Sequence, residues 1–226
     1  MPRKARLVIP KLPYHITQRG NNRQDIFFVD GDKRAYMAIL KEQSDRYDLK
    51  ILGYCLMTNH IHLVAVPDNE DSLSKAVGRT HWRYTQYINR LHGRSGHLWQ
   101  NRFYSCALDE DHLMAAMAYV ERNPVRAKIV RKASKYEWSS AEAHIKGVDE
   151  NGLIDAAYWR KLTRETDWAE FLERPEDKII TRQLRLHTNR GRPLGSDSFI
   201  SKLEKAIGRR IRPLPPHRPR KEIKSG

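Results

Sequence analysis

Two histidines one residue apart, His60 and His62, stand in the stretch Gly53–Pro67, GYCLMTNHIHLVAVP. The stretch reads as two strands joined by a tight turn at Thr58-Asn59, with the histidines opening the second strand. Side chains alternate faces along a strand, so both imidazoles point one way and Ile61 and Leu63 point into a core. Two imidazoles side by side can grip a divalent ion and leave its far side open. The pattern alone is a weak signal, since a pair of half-buried structural histidines would look the same. A second set lies further along. His112, Ala116, Tyr119 and Asn123 share one helix face by steps of three and four. Leu113, Met117 and Val120 form the adjoining apolar stripe that would anchor that helix. Tyr119 offers a phenol at the edge of the stripe, and Asn123 an amide oxygen able to ligate a hard cation. Alone, they read as a boundary tyrosine and an asparagine closing a helix.

The elements that must position these groups follow from periodicity. Tyr14–Arg19 alternates and is the first strand, and Gly20-Asn21-Asn22 turns the chain into a short return at Ile26–Val29. A helix begins at Asp30 or Asp32 and runs to about Tyr47, with Tyr36, Ile39, Leu40 and Gln43 on one stripe. Leu49–Met57 and His60–Val66 are the hairpin strands. A long helix spans about Ser72–His92, with Leu73, Val77, Thr80, Tyr84, Ile88 and Leu91 inward. Lys75, Arg79, Arg83 and Arg90 lie together on another face, suited either to solvent or to phosphates. Phe103–Leu108 is a further strand. The helix carrying Tyr119 starts at Asp109 or Asp111 and is expected to stop at Pro124. The order strand, helix, strand, strand, helix, strand makes an α+β fold: a ferredoxin-like βαββαβ core with an antiparallel sheet. The tyrosine-bearing helix is an addition to it. Short helices are expected at Val125–Val130 and Ser139–Lys146, a helical coda at Ile154–Phe171, and a helix at Ser196–Ile207. Three segments result: a catalytic domain over 1–147, a helical extension over 148–180, and a basic tail over 181–226. The tail's last dozen residues are expected to be extended or disordered.

Charge points to a polyanion. The 226 residues hold 42 Lys+Arg against 27 Asp+Glu, a net of +15. Residues 181–226 carry 13 of the basic and 3 of the acidic groups, so one fifth of the chain holds two thirds of the excess. Such a tail should add sequence-independent, salt-sensitive affinity for nucleic acid. Arg190-Gly191-Arg192-Pro193 has the form of an AT-hook core, an extended tetrapeptide for a narrow minor groove. Nucleic acid is the first candidate for that polyanion and an anionic membrane surface the second; no stretch is apolar enough to span a bilayer, the N-terminus lacks a signal-peptide core, and no membrane is among the expected partners. Cys55 and Cys106 lie in apolar runs as small core residues of a reducing cytosol, with no structural zinc pattern.

The set YHITQRGNNRQDIFF, GYCLMTNHIHLVAVP, GHLWQNRFYS and YVERNPVRA, in this order and spacing, resembles the REP-associated tyrosine transposases. These belong to the IS200/IS605-like single-tyrosine branch of the HUH endonucleases. The resemblance is close over residues 7–147 and looser over the tail. It implies that His60 and His62 hold a divalent metal, Mg²⁺ or Mn²⁺, that Asn123 completes the site, and that Tyr119 is the nucleophile. It further implies nicking of single-stranded DNA at palindromic hairpins, in the cytoplasm at the nucleoid. The compact transposases of the branch are dimers sharing active sites. The long form with a basic tail, which this chain has, is more often a monomer.

Attack of a phenolate on a phosphodiester is transesterification: a 5′-phosphotyrosine forms and the 3′-oxygen leaves, so rejoining needs no nucleotide cofactor. Candidate DNA contacts beyond the site are Gln18 and Arg19 at the end of the first strand, Trp99, Gln100, Asn101 and Arg102 before the last, and Arg126 after the tyrosine. His112 is a candidate for orienting Tyr119. Two other functions share this set of residues: a DNA-binding regulator without catalysis, and a metallohydrolase using water as nucleophile. A carboxylate-triad transposase is disfavoured, because no such triad is recognisable.

Overall fold

The computed structural model describes residues 8–164 and 166–212. Four strands, β1 (Tyr14–Arg19), β2 (Leu49–Met57), β3 (His60–Pro67) and β4 (Tyr104–Ala107), form one sheet in the order β2-β3-β1-β4. Every neighbouring pair is antiparallel. This is the strand order that a βαββαβ chain gives. Helices α1 (Asp30–Arg46) and α2 (Ser72–Leu91) pack on each other over one face of the sheet. Tyr36, Leu40, Leu73, Val77, Tyr84 and Ile88 fill the space with Ile16, Ile61 and Leu63, all 0% exposed. Leu91 is the exception to the expected stripe: at the frayed last turn of α2 it is 55% exposed. Ile26 and Phe27 are buried but form no strand, because both amides donate to the carbonyl of Thr58 at the hairpin turn.

The other face of the sheet carries His15 on β1 and His60 and His62 on β3. It is covered by α3 (Glu110–Glu121) on β2 and β3, by the single turn α4 (Asn123–Arg126) on β2, and by a helix of the later chain, Lys178–Arg190, on β1 and β4; α5 (Ala141–Lys146) follows α4 in the chain. Asp109 caps α3, accepting the His112 amide at 3.0 Å. The helix that carries Tyr119 ends at Glu121, just before Pro124, as expected. Pro124 occupies the opening of α4, where its missing N–H costs nothing, so Asn123 starts a new turn. Gly53 brings α3 onto the sheet. A Cβ there would lie 2.5 Å from the Met117 methyl, and β2 is bulged at that point.

Beyond residue 147 the chain forms α6 (Ala156–Leu162), α7 (Trp168–Glu173), α8 (Lys178–Arg190) and α9 (Asp197–Ile207). Both sheet edges are closed, β2 by chain on either side of residue 147 and β4 by the added chain. On β2, Leu56 donates to Trp138 and Asp155 donates to Ile51; on β4, Leu194 donates to Ala107 at 2.8 Å. Residue 181, where the composition turns basic, falls inside α8, which packs against β4, β1 and α3. The segment after residue 212, with the expected extended end, lies outside the described residues.

Glu121 ties the extension to the core. Its carboxyl group, 0% exposed, accepts the Ser140 hydroxyl and the Trp168 indole N–H (2.7 Å), and it pairs with the His144 ring. His144 in turn stacks on Trp159. Glu121→Ala would leave three buried polar groups without their partner. It should cost about 3 kcal/mol or more, a fall in Tm of roughly 6–12 °C. Thermal unfolding checks this, and a loss under about 1 kcal/mol would mean the extension is held by apolar packing alone.

Candidate active site around Tyr119

α3 lowers Tyr119 onto the histidine face of the sheet. The ring, 6% exposed, stands edge-on to His62 at a centroid distance of 5.5 Å and to His15 at 5.6 Å. His60 stands edge-on to His62 at 5.2 Å. The His62 imidazole from β3, with His60 beside it, and the phenol from α3, 57 residues from His62 in sequence, therefore meet. Two guanidiniums flank the phenol. Arg126 lies over the ring at 4.2 Å, donates to the Tyr119 carbonyl at 2.9 Å, and pairs with Glu176. Arg185 of α8 donates Nε–H to the Tyr119 hydroxyl oxygen at 3.2 Å.

The donor set suits a divalent ion. Burial, then the charges of Arg19 and Arg126, lowers the His60 pKa to about 4. Burial, then the neighbouring histidines, holds His62 well below its ordinary value. Both rings are therefore neutral ligands near pH 7. The His60 Nδ1 is engaged by Asn59 Oδ1 at 2.7 Å, which leaves Nε2 for an ion. The Asn123 amide nitrogen donates to the carbonyls of Tyr119 and Val120, both at 3.1 Å, so its oxygen is the end that could ligate an ion. Among the described residues no group of three or more His, Cys, Asp or Glu is arranged around an ion. A metal here would rest on two imidazoles, an amide oxygen and positions open to water and phosphate.

Other expected contacts are distributed differently. Arg19 is exposed and pairs in register with His60, so it borders the site. Arg102 is exposed in the loop before β4. Gln18 faces the opposite way, is buried, and donates to the Asn101 carbonyl. Trp99 is no open stacking platform: it lies at 4.3 Å against His81, packs on Tyr36 and Tyr84, and donates its indole N–H to the His81 carbonyl. Lys75, Arg79 and Arg83 sit on α2, with the sheet between them and Tyr119. There Lys75 pairs with Asp71, Arg83 with Glu42, and Arg79 covers Trp82. His112 does not orient Tyr119. It lies about two turns back along α3, where its Nδ1 pairs with Asp109 at 2.6 Å. Arg190-Gly191-Arg192-Pro193 is not an extended hook either. Gly191 ends α8 in the left-handed region (φ 62°), the Arg192 amide bonds back to His187, and Pro193 is buried.

Three participants escaped the sequence reading: His15, Arg185 and Thr188. His15 sits in the first strand among residues read as plain sheet. Arg185 and Thr188 belong to α8, a helix the basic composition concealed. Asp177 as N-cap, Ile180, Leu184 and Thr188 at steps of four, and Gly191 at the end are the signals that mark it.

No curated protein sequence matches the chain. Among solved structures, a REP-associated tyrosine transposase bound to a REP hairpin aligns with a TM-score of 0.57 and 17% identity, over 69% of this chain and 90% of its own. This likeness establishes the shared fold. A transposase structure from Deinococcus radiodurans R1 aligns at 20% identity over 56% of this chain and 92% of its own, with a TM-score of 0.37. The IS200-like transposase family matches residues 8–123. That match covers just over half of the chain and takes in the sheet, both histidines, Tyr119 and Asn123. The chain belongs to the IS200-like transposases, a family of DNA-processing enzymes.

Proposed function

We propose that this protein is a metal-dependent single-strand endonuclease and strand transferase that acts on hairpin DNA through a covalent 5′-phosphotyrosine at Tyr119. The observation that carries the reading is the edge-on packing of Tyr119 against His62, with its hydroxyl oxygen met by Arg185. In this reading His60, His62 and the Asn123 oxygen hold Mg²⁺ or Mn²⁺. When bound, the ion would polarise the scissile phosphate and offset the charge that develops on it. Tyr119 attacks phosphorus, the P–O3′ bond breaks, and the strand keeps its 5′-phosphate on the enzyme. Arg185 donates to the oxygen that becomes negative when the phenol loses its proton. Arg126 holds the ring from one face and the backbone from behind, fixing the angle of attack.

Hairpin DNA as substrate is supported by the fold shared with a transposase bound to a REP hairpin, and a polyanion by the net charge of +15. Arg19 and Arg102, at the rim on the side of β1 and β4, are assigned to the flanking single strand. No helix among the described residues is long and apolar enough to cross a membrane. The test is incubation of the full chain with hairpin oligonucleotides and Mn²⁺, followed by a denaturing gel and peptide mass spectrometry. The expected products are a free 5′-side fragment ending in a 3′-hydroxyl and a 3′-side fragment joined through its 5′-phosphate to the peptide that holds Tyr119. Cleavage with no protein-linked fragment would instead assign the nucleophile to water.

A further inference from the structure

His15 is buried on the same face as the metal-site histidines, 1% exposed, and its ring is aimed at one of them. His15 Nε2 and His62 Nδ1 are 3.0 Å apart. Their ring planes are within 12° of parallel with centroids 5.3 Å apart, and with the facing nitrogens 3.0 Å apart this separation sets the rings edge to edge. An in-plane N–H of one ring then meets the in-plane lone pair of the other. On its far side, His15 Nδ1 lies 2.7 Å from Thr188 Oγ1 of α8, and Thr188 Oγ1 lies 3.2 Å from Cys106 Sγ on β4. Thr188 is 1% exposed and Cys106 likewise. Four side chains from β3, β1, α8 and β4 thus form one buried line of hydrogen bonds.

For the two rings such a line allows only two proton arrangements, because each neutral ring carries one N–H and one lone pair. In the first, His62 Nδ1–H donates to His15, His15 Nδ1–H donates to Thr188, and the threonine hydroxyl donates to the sulfur. In the second, every bond is reversed and His62 carries its proton on Nε2. Only the first leaves a lone pair on His62 Nε2, the nitrogen not already engaged by His15. We infer that His15, locked by Thr188, is the positioning residue that presents His62 Nε2 as a ligand. This rests on the reading of His62 as a metal ligand. It also makes α8 part of the active centre, since one helix supplies both Thr188 to this line and Arg185 to the nucleophile.

The test uses the full chain. Imidazole ¹⁵N–¹H spectra of the metal-free and Mg²⁺-loaded wild type report which nitrogen of each ring carries hydrogen. The expected pattern is Nδ1–H on both His15 and His62. An Nε2–H signal from His62 overturns the inference, whatever the protein does with metal. In parallel, Mn²⁺ binding is followed by electron paramagnetic resonance. His15→Phe should weaken it about 10- to 100-fold, and Thr188→Val should weaken it in the same direction. His15→Gln, which can accept from His62 and donate to Thr188, and Thr188→Ser should restore it. Unchanged affinity in folded His15→Phe and Thr188→Val proteins also overturns the inference. If the expected tautomers appear but wild type takes up no Mn²⁺, the metal reading fails and the hydrogen-bonded line stands.

Discussion

Tyr119→Phe should abolish the protein–DNA adduct and slow strand cleavage by at least about 10³-fold, or roughly 4 kcal/mol of barrier. The substitution removes one oxygen and little else. The ring keeps its edge-on contacts with His62 and His15 and stays beneath Arg126. The Tyr119 carbonyl still accepts from Arg126 and Asn123. What is lost is the acceptor of Arg185 Nε–H and the attacking atom itself. Hairpin affinity should therefore stay within about three-fold of wild type, since phosphate contacts elsewhere are untouched. That separation of binding from cleavage distinguishes the three functions that share these residues. A metallohydrolase with a water nucleophile would keep cutting in Tyr119→Phe, and a regulator without catalysis would show no cleavage even in wild type. Gel electrophoresis of the oligonucleotide under denaturing conditions, beside a filter-binding titration, reads both quantities. Retention of wild-type cleavage by Tyr119→Phe would remove the phenol from the mechanism.

The parts of this centre that lie on regular, amphipathic elements were legible in the sequence. The hairpin strands Leu49–Met57 and His60–Val66, the length of α2 and a start for α3 at Asp109 or Asp111, which the structure resolves to Asp109, all follow from local patterning. So did the shared face of His60 and His62, because strand alternation fixes it. The meeting of Tyr119 with His62 is not local. It depends on Gly53 letting α3 settle on β2, and the side chain that would otherwise intervene is visible only by its absence. Helix α8, at the start of the basic tail, went unread for a related reason. Charge describes where a residue ranks in polarity, while the burial of Leu184 and Thr188 depends on the open edge of β4 beneath them. Trp99 shows the same limit from the other side. An aromatic among Gln, Asn and Arg looks like a base platform until His81 and Tyr36 are brought against it by α1 and α2.

Stability should fall steeply with acid, and cleavage should fall with it for that reason rather than through titration of the metal ligands. Burial lowers the pKa of His15 and of His81 to about 3, and holds His62 well below its ordinary value. In the unfolded chain each of these rings takes up a proton near pH 6.5. Below that pH the unfolded state binds more protons than the folded one, so stability present in full above about 6.5 is lost as pH drops. Each ring should cost about 2 kcal/mol between pH 7 and pH 5, or about 6 for the three, against a total of about 5–15 for a domain. Urea midpoints at pH 7.5, 6.5, 5.5 and 5 measure this. His81→Gln, remote from the metal site, should flatten the dependence by about one proton. The ligands themselves behave differently. With the folded His60 titrating at about 4, Mn²⁺ affinity of the folded fraction should hold from pH 7.5 to about 5. Binding and the circular dichroism signal should then disappear together. Loss of Mn²⁺ affinity centred near pH 6.5 in a protein still folded would show that the imidazoles titrate as if solvated, and that the cover of α3 and α8 over the histidine face does not exclude water.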